Sequence, residues 1–148
     1  MKIIARNSYA KSSYEILDKF EAGLVLLGTE IKSVREGQIS LKGSHARITN
    51  GELWLTGVHI APYHQGAPAD YDPMRPRKIL VSKQELNKII GKSQEQGLTL
   101  IPLSLYIKRN RAKVELALAR GLKKWDKRSK IKERQEDRDI QRKLRRKK

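Results

Sequence analysis

Three groups of residues have types and spacings from which chemistry could be built. Gly91-Lys92-Ser93 ends like a phosphate-binding loop. A Walker A segment, however, needs its first glycine where Leu86 stands and a strand ahead of it, and this stretch reads as helix, so that chemistry is excluded. His59 and His64 lie near Asp70 and Asp72, but their spacing fits no standard metal set and they fall in a proline-rich loop, so no metal is expected. Asp70 and Asp72 are a carboxylate pair of the kind acid–base catalysis uses; nothing else converges on them, and loop solvation accounts for both. With no cysteine in the chain, disulfides, thiolate zinc sites and a Cys nucleophile are excluded together. No catalytic residue and no cofactor is therefore expected. What remains is cationic. Arg75, Arg77 and Lys78 flank Pro76, and Lys108, Arg109, Arg111 and Lys113 surround a second turn. These are fork donors and point charges suited to phosphate and 2′-hydroxyl groups.

The elements that must carry these cations are mostly strands. Val114, Leu116 and Leu118 alternate with Lys113, Glu115 and Ala117, the period of two that puts one face of a strand in a core. Ile101, Leu103, Leu105 and Ile107 form a second such row, and Arg109-Asn110-Arg111 joins the two as a tight hairpin. Asn50-Gly51, tolerant of positive φ, turns Arg47–Thr49 into Leu53–Val58. A further strand runs from Tyr14 through Leu26, with Gly23 expected to mark a bulge or sharp bend. Ser82-Lys83-Gln84-Glu85 is a capping box that opens a helix with Leu86, Ile89 and Ile90 inward and a stop near Gly97. A shorter helix is expected over Thr29–Glu36, with Ile31 and Val34 inward and Gly37 closing it. Pro62, Pro68, Pro73 and Pro76 predict an exposed loop between His59 and Arg77. Short strands with helices packed on them give a mainly β fold, a small and partly open barrel.

Charge divides the 148-residue chain in two. It carries 33 Lys and Arg against 16 Asp and Glu, net +17, which calls for a polyanionic partner. Residues 1–122 hold net +8 and residues 123–148 net +9. In that last stretch Trp125, Ile131, Ile140 and Leu144 make no continuous apolar stripe, so it reads as a tail, disordered when free, whose helix-forming composition lets it become helical once its charge is neutralised. The domain boundary falls near Gly121, giving a barrel over 1–121 and a basic tail over 122–148. No 20-residue apolar run and no signal peptide is present, so a cytoplasmic protein with no membrane partner is expected. Eight aromatics are too few, and too rarely set among cations, for a multi-base stacking platform. Folded RNA read by shape and backbone is the better partner.

Phe20-Glu21-Ala22-Gly23, Gly28-Thr29-Glu30-Ile31-Lys32-Ser33, His59-Ile60-Ala61-Pro62, Asp72-Pro73-Met74-Arg75-Pro76-Arg77-Lys78 and Gly121 to Arg128 follow one another in an order and spacing that resembles the SmpB family, the SsrA-binding proteins. The likeness runs over nearly the whole chain. It implies an oval barrel related to the OB fold with two or three packed helices, and an RNA-binding adaptor, not an enzyme. Such an adaptor binds the tRNA-like domain of transfer-messenger RNA (tmRNA) and delivers it to stalled ribosomes for trans-translation. A small constitutive ribosomal protein is the alternative, and a nuclease a weaker third.

By the same resemblance, Asn7, Glu21, Leu80 and Lys113 match positions that contact the tRNA-like domain. Leu80 has plain core packing as its competing explanation. Arg75, Arg77 and Lys78 are added to that surface by their charge. Lys123, Lys124, Trp125, Asp126, Lys127 and Arg128 match a tail motif that acts on the ribosome, in the decoding site and messenger channel. As helix the tail would reach about 39 Å. Trp125 stands where the family usually has His or another ring, Leu122 where it has a basic residue, and Ser8-Tyr9 where it has a basic pair. The protein is expected to be a monomer without cofactor.

Overall fold

The structure is a computed structural model and describes residues 2–94 and 97–122. In chain order its elements are β1 (Lys2–Arg6), α1 (Ser8–Ser13), β2 (Tyr14–Leu24), α2 (Gly28–Arg35), β3 (Ile39–Ser40), β4 (His45–Thr49), β5 (Glu52–Thr56), β6 (His59–Ile60), β7 (Arg77–Leu80), α3 (Lys83–Ser93), β8 (Leu98–Lys108) and β9 (Arg111–Gly121). Both expected hairpins form. Asn50 and Gly51 take φ of 51° and 73° between β4 and β5, and Arg109 and Asn110 take 52° and 63° between β8 and β9. Two successive positive φ values give the turn whose twist matches that of the flanking strands. Arg111 is already in β9, opposite Lys108, so the second turn has two residues and not three.

Antiparallel pairing runs β8-β4-β5-β7-β2-β9 and back to β8, closing the sheet into a ring. Closure is thin at one seam. β4 meets β8 only through Ala46 and Leu100, because the same edge of β8 is taken by β1 from Ser104 to Ile107. The mainly β, partly open barrel expected from the period-two rows is thus the architecture observed. Leu53, Leu55, Leu105, Val114 and Leu116 fill the ring, with Ile89 of α3 packed among them. Each such side chain contributes about 1.5–3 kcal/mol by leaving water.

The helices depart from expectation in instructive ways. α3 is capped by Ser82, whose Oγ accepts from the Glu85 N–H at 3.2 Å, but it ends at Ser93, short of Gly97. α2 buries Val34 as expected, together with Glu30 and Ser33, while Ile31 is only half-buried. α1 and the short strands β1 and β7 were not legible. In α1 the Asn7 Oδ1 caps the Ala10 N–H at 3.3 Å, and Ala10 seats the helix on Ile101, Leu103, Ala117 and Ala119 on the outside of the ring. The small alanines of β9 are what let a helix approach that face. Gly23 marks no bulge. The register of β2 shifts between Ile16 and Asp18 instead.

Candidate nucleic-acid interface

Gly23 stands where β2 pairs on both sides at once, opposite Leu80 of β7 and opposite Lys113 of β9, and Lys113 in turn faces Tyr106 of β8. Leu80, Gly23, Lys113 and Tyr106 therefore form one row across four strands. Their chain neighbours Ile79, Ala22, Val114 and Leu105 belong to the core, so the pleat turns this row to the outer face. Two residues along, Glu21, Glu115 and Ser104 form the next outward row.

Leu80 is 51% exposed. Core packing is thereby ruled out for it, and an apolar side chain stands free at the end of a polar row. Gly23 leaves a notch beside it. A Cβ there would lie 3.5 Å from the Leu80 Cβ and 3.9 Å from the Lys113 Nζ, so the lysine head rests against bare backbone. The Tyr106 hydroxyl donates to Glu21 Oε2, and the Lys108 ammonium lies 3.5 Å from Oε1. The Tyr106 bond above all, with Lys108 and Lys113 assisting against partial desolvation, holds the Glu21 carboxyl below its ordinary range. Burial, the Glu21 bond and the charges of Glu21 and Glu115 push the Tyr106 phenol far above its own, so it stays a donor. Glu21, Lys108, Arg109, Arg111 and Lys113 line a cleft of about 530 Å³. Four cations around one ionised carboxylate can take phosphate oxygens and still present an acceptor.

Two of the other expected contacts, Arg77 and Asn7, need correction. Arg77 is wholly buried. Its Nε donates to Glu30 Oε2 at 2.8 Å, its Nη1 to the Val58 carbonyl at 2.7 Å, and its Nη2 to Glu30, the Tyr71 hydroxyl and the Pro73 carbonyl. Arg75 donates to the other oxygen of Glu30. These two arginines hold the proline-rich loop against α2, and Arg77 has no surface left for RNA. Burial pushes the Glu30 carboxyl up, but hydrogen bonds from Arg75, the Leu27 N–H and Arg77 outweigh it and hold it below the usual carboxylate range. Burial, then the charge and bond of Glu30, raise the Tyr71 phenol. Asn7 is also buried. It caps α1 and donates to the Pro102 carbonyl at 2.9 Å, so its side chain orders β1 and α1 around β8. Lys78 keeps an exposed head, 3.4 Å from Glu52.

Sequence reading missed Glu30, Tyr106 and the notch at Gly23. A glutamate three positions after Leu27, accepting from the Leu27 N–H at 2.9 Å, is a helix-start signal that was available. Nothing local marks the other two, which depend on strand register.

Among the described residues no three His, Cys, Asp or Glu side chains gather as a metal set. Asp72 caps a turn through the Met74 N–H, and His64 pairs with Glu36. No helix among them is long and apolar enough to cross a membrane. Lys123, Lys124, Trp125, Asp126, Lys127 and Arg128 lie outside the described residues. The last described step is Leu122, whose N–H donates to the Ser13 carbonyl at 2.9 Å. It lies at the far end of β9 from Lys113, about 30 Å away at the usual strand rise.

Residues 4–146 match the family described as SmpB protein. The chain belongs to the SmpB family. Its SmpB relatives include the SsrA-binding protein of Carboxydothermus hydrogenoformans, 52% identical over 97% of each chain. The SsrA-binding protein of Thermosynechococcus vestitus is 50% identical over 96% of this chain and 94% of its own. A solved chain from the structure described as "tmRNA-SmpB: a journey to the center of the bacterial ribosome" is 49% identical. It covers 81% of this chain and 85% of that chain at a TM-score of 0.68. SmpB membership was already implied by the five sequence motifs, and the likeness in structure extends it to the ring of strands that sets the outer row.

Proposed function

We propose that this SmpB-family chain is an RNA-binding adaptor that holds the tRNA-like domain of tmRNA and delivers it to stalled ribosomes for trans-translation. The observation that carries the reading is the outward row of Leu80, Gly23, Lys113 and Tyr106 beside a cleft of four cations and Glu21. Such a surface of fixed shape offers phosphate donors, an apolar shelf and one acceptor, which is what a folded RNA elbow needs and a single strand does not. The SsrA-binding relatives and the solved tmRNA–SmpB neighbour support the same partner and the ribosome as destination.

Glu21, Leu80, Lys113 and, at the edge, Lys78 and Arg75 bind the RNA. Asn7 acts by ordering the segment beside them. Lys123 to Arg128 act on the ribosome. The protein works as a monomer in the cytoplasm, holds no cofactor and catalyses no reaction. Its chemistry is attraction and fit. Sequencing the RNA that co-purifies with the full chain tests this. Enrichment of tmRNA over transfer RNA and ribosomal RNA is expected, and ribosomal RNA alone, in proportion to ribosomes, would replace the adaptor by a constitutive ribosomal protein.

A further inference from the structure

A second cleft, of about 520 Å³, opens beside the cationic one and shares Glu21 with it. Its lining is mixed, with Arg6 and Lys19 on the one hand and the carboxylates of Glu21 and Glu115 on the other. Glu21 and Glu115 face each other across β2 and β9, Ser104 faces Glu115 across β8, and Ile3 and Leu103 supply apolar wall. Like charges set directly opposite in a sheet destabilise it. Glu21 is relieved by Tyr106 and Lys108. The Glu115 carboxylate has no hydrogen bond or ion pair with any described residue, in a protein with 33 Lys and Arg. The Ser104 hydroxyl likewise has no partner among the described residues. A half-buried carboxylate with two open oxygens sits next to an open hydroxyl donor, a step away from a phosphate cleft.

We infer that this second cleft is a base pocket that takes one unpaired guanine of the bound RNA. The inference rests on the tmRNA-binding reading and deepens it. Guanine alone among the four bases presents two adjacent N–H donors, N1–H and the 2-amino group, followed by a carbonyl acceptor, O6. The Glu115 carboxylate matches the two donors and the Ser104 hydroxyl matches O6, while Ile3 and Leu103 cover a ring face. Cytosine and adenine offer one amino group beside an acceptor nitrogen, which a carboxylate repels. Uracil offers acceptors on both sides of its single donor. Tyr106 is a positioning residue here: it draws Glu21 aside and leaves Glu115 as the free acceptor.

The sign of one substitution separates this pocket from plain electrostatics. Removing an anion from a phosphate-binding face should tighten RNA binding by weakening repulsion. A base pocket requires the reverse. With full-length protein and a synthetic tRNA-like domain of tmRNA, Glu115→Gln should weaken binding about tenfold while leaving the thermal midpoint unchanged or raised. Replacing unpaired guanines one at a time by inosine, which lacks the 2-amino group, should reveal one position that costs the unsubstituted protein about tenfold. The same replacement should cost Glu115→Gln less than twofold. Tighter binding by Glu115→Gln, or equal inosine effects in both proteins, would overturn the pocket with the adaptor reading intact. Failure of the unsubstituted protein to prefer this RNA over transfer RNA would overturn both.

Discussion

Lys113 and Glu21 line the same cleft with opposite charge, and their effects on RNA binding should differ in kind. On the proposed reading, Lys113→Ala removes a phosphate contact. Affinity should fall and the log–log salt dependence should flatten by about 0.7–0.9, one counterion. Glu21→Ala removes an acceptor and releases no counterion, so affinity should fall with the slope unchanged; titrations at several salt concentrations check both. Equal slope changes would mean that the two roles are misassigned. Gly23 allows a test in which folding and binding move apart. Its added Cβ meets only ordinary contacts at 3.5–3.9 Å, and alanine in place of a strand glycine gains about 0.5–1 kcal/mol of backbone entropy. Gly23→Ala should therefore melt at the same or a higher temperature. It should also bind RNA more weakly, because the methyl fills the notch and moves the Lys113 head. Unchanged affinity would show that the RNA does not approach this backbone.

Among the elements, the proline-rich segment between β6 and β7 is held to α2 by a buried electrostatic cluster. Glu30 on α2 receives Arg75 and Arg77 and, through Tyr71, ties the loop to the ring. Breaking a buried pair by removing one partner leaves the other charge uncompensated, at a cost of about 3–5 kcal/mol. Glu30→Gln should lower stability to denaturant by that amount. The acid limb follows in sign. Glu30 has a folded pKa below its unfolded value, so its contribution is complete above the ordinary carboxylate pKa and is lost as the pH falls through the lowered one. Wild-type stability should drop across that acid window, and the drop should be shallower in Glu30→Gln. An acid limb of the same steepness in both proteins would place the titrating group elsewhere.

At the scale of the whole molecule, the charge divides between residues 1–122, net +8, and residues 123–148, net +9. The outer row at Lys113 and the last described residue, Leu122, sit at opposite ends of β9. Deleting residues 123–148 should keep the preference for the tRNA-like domain over transfer RNA and abolish rescue of stalled ribosomes. Removing net +9 also takes away non-specific attraction, so affinity for all RNAs should fall together and with a flatter salt slope. Loss of the preference itself would assign recognition to the tail.

Much of this was written locally. The period-two row from Val114 to Leu118, the positive-φ pairs at the two hairpins and the Ser82 cap are set by neighbours within a few residues, so the sequence by itself determined a mainly β domain with a capped helix. The expected row from Ile101 to Ile107, by contrast, changes face at the register shift between Pro102 and Ser104, which leaves Ile101 and Leu103 outside the ring and Leu105 in its core. Net charge, being a sum, needed no structure to imply a polyanion. What only the tertiary structure decided is which polar groups face water. Arg77 and Lys113 are both cations in basic stretches; one is sealed by a glutamate 47 residues away and the other is left on the surface. Leu80 is apolar and exposed because β7 offers its other face to the core. Gly23, Tyr106 and Glu115 become neighbours through strand register, and register is fixed by how the whole ring packs, which no single segment encodes.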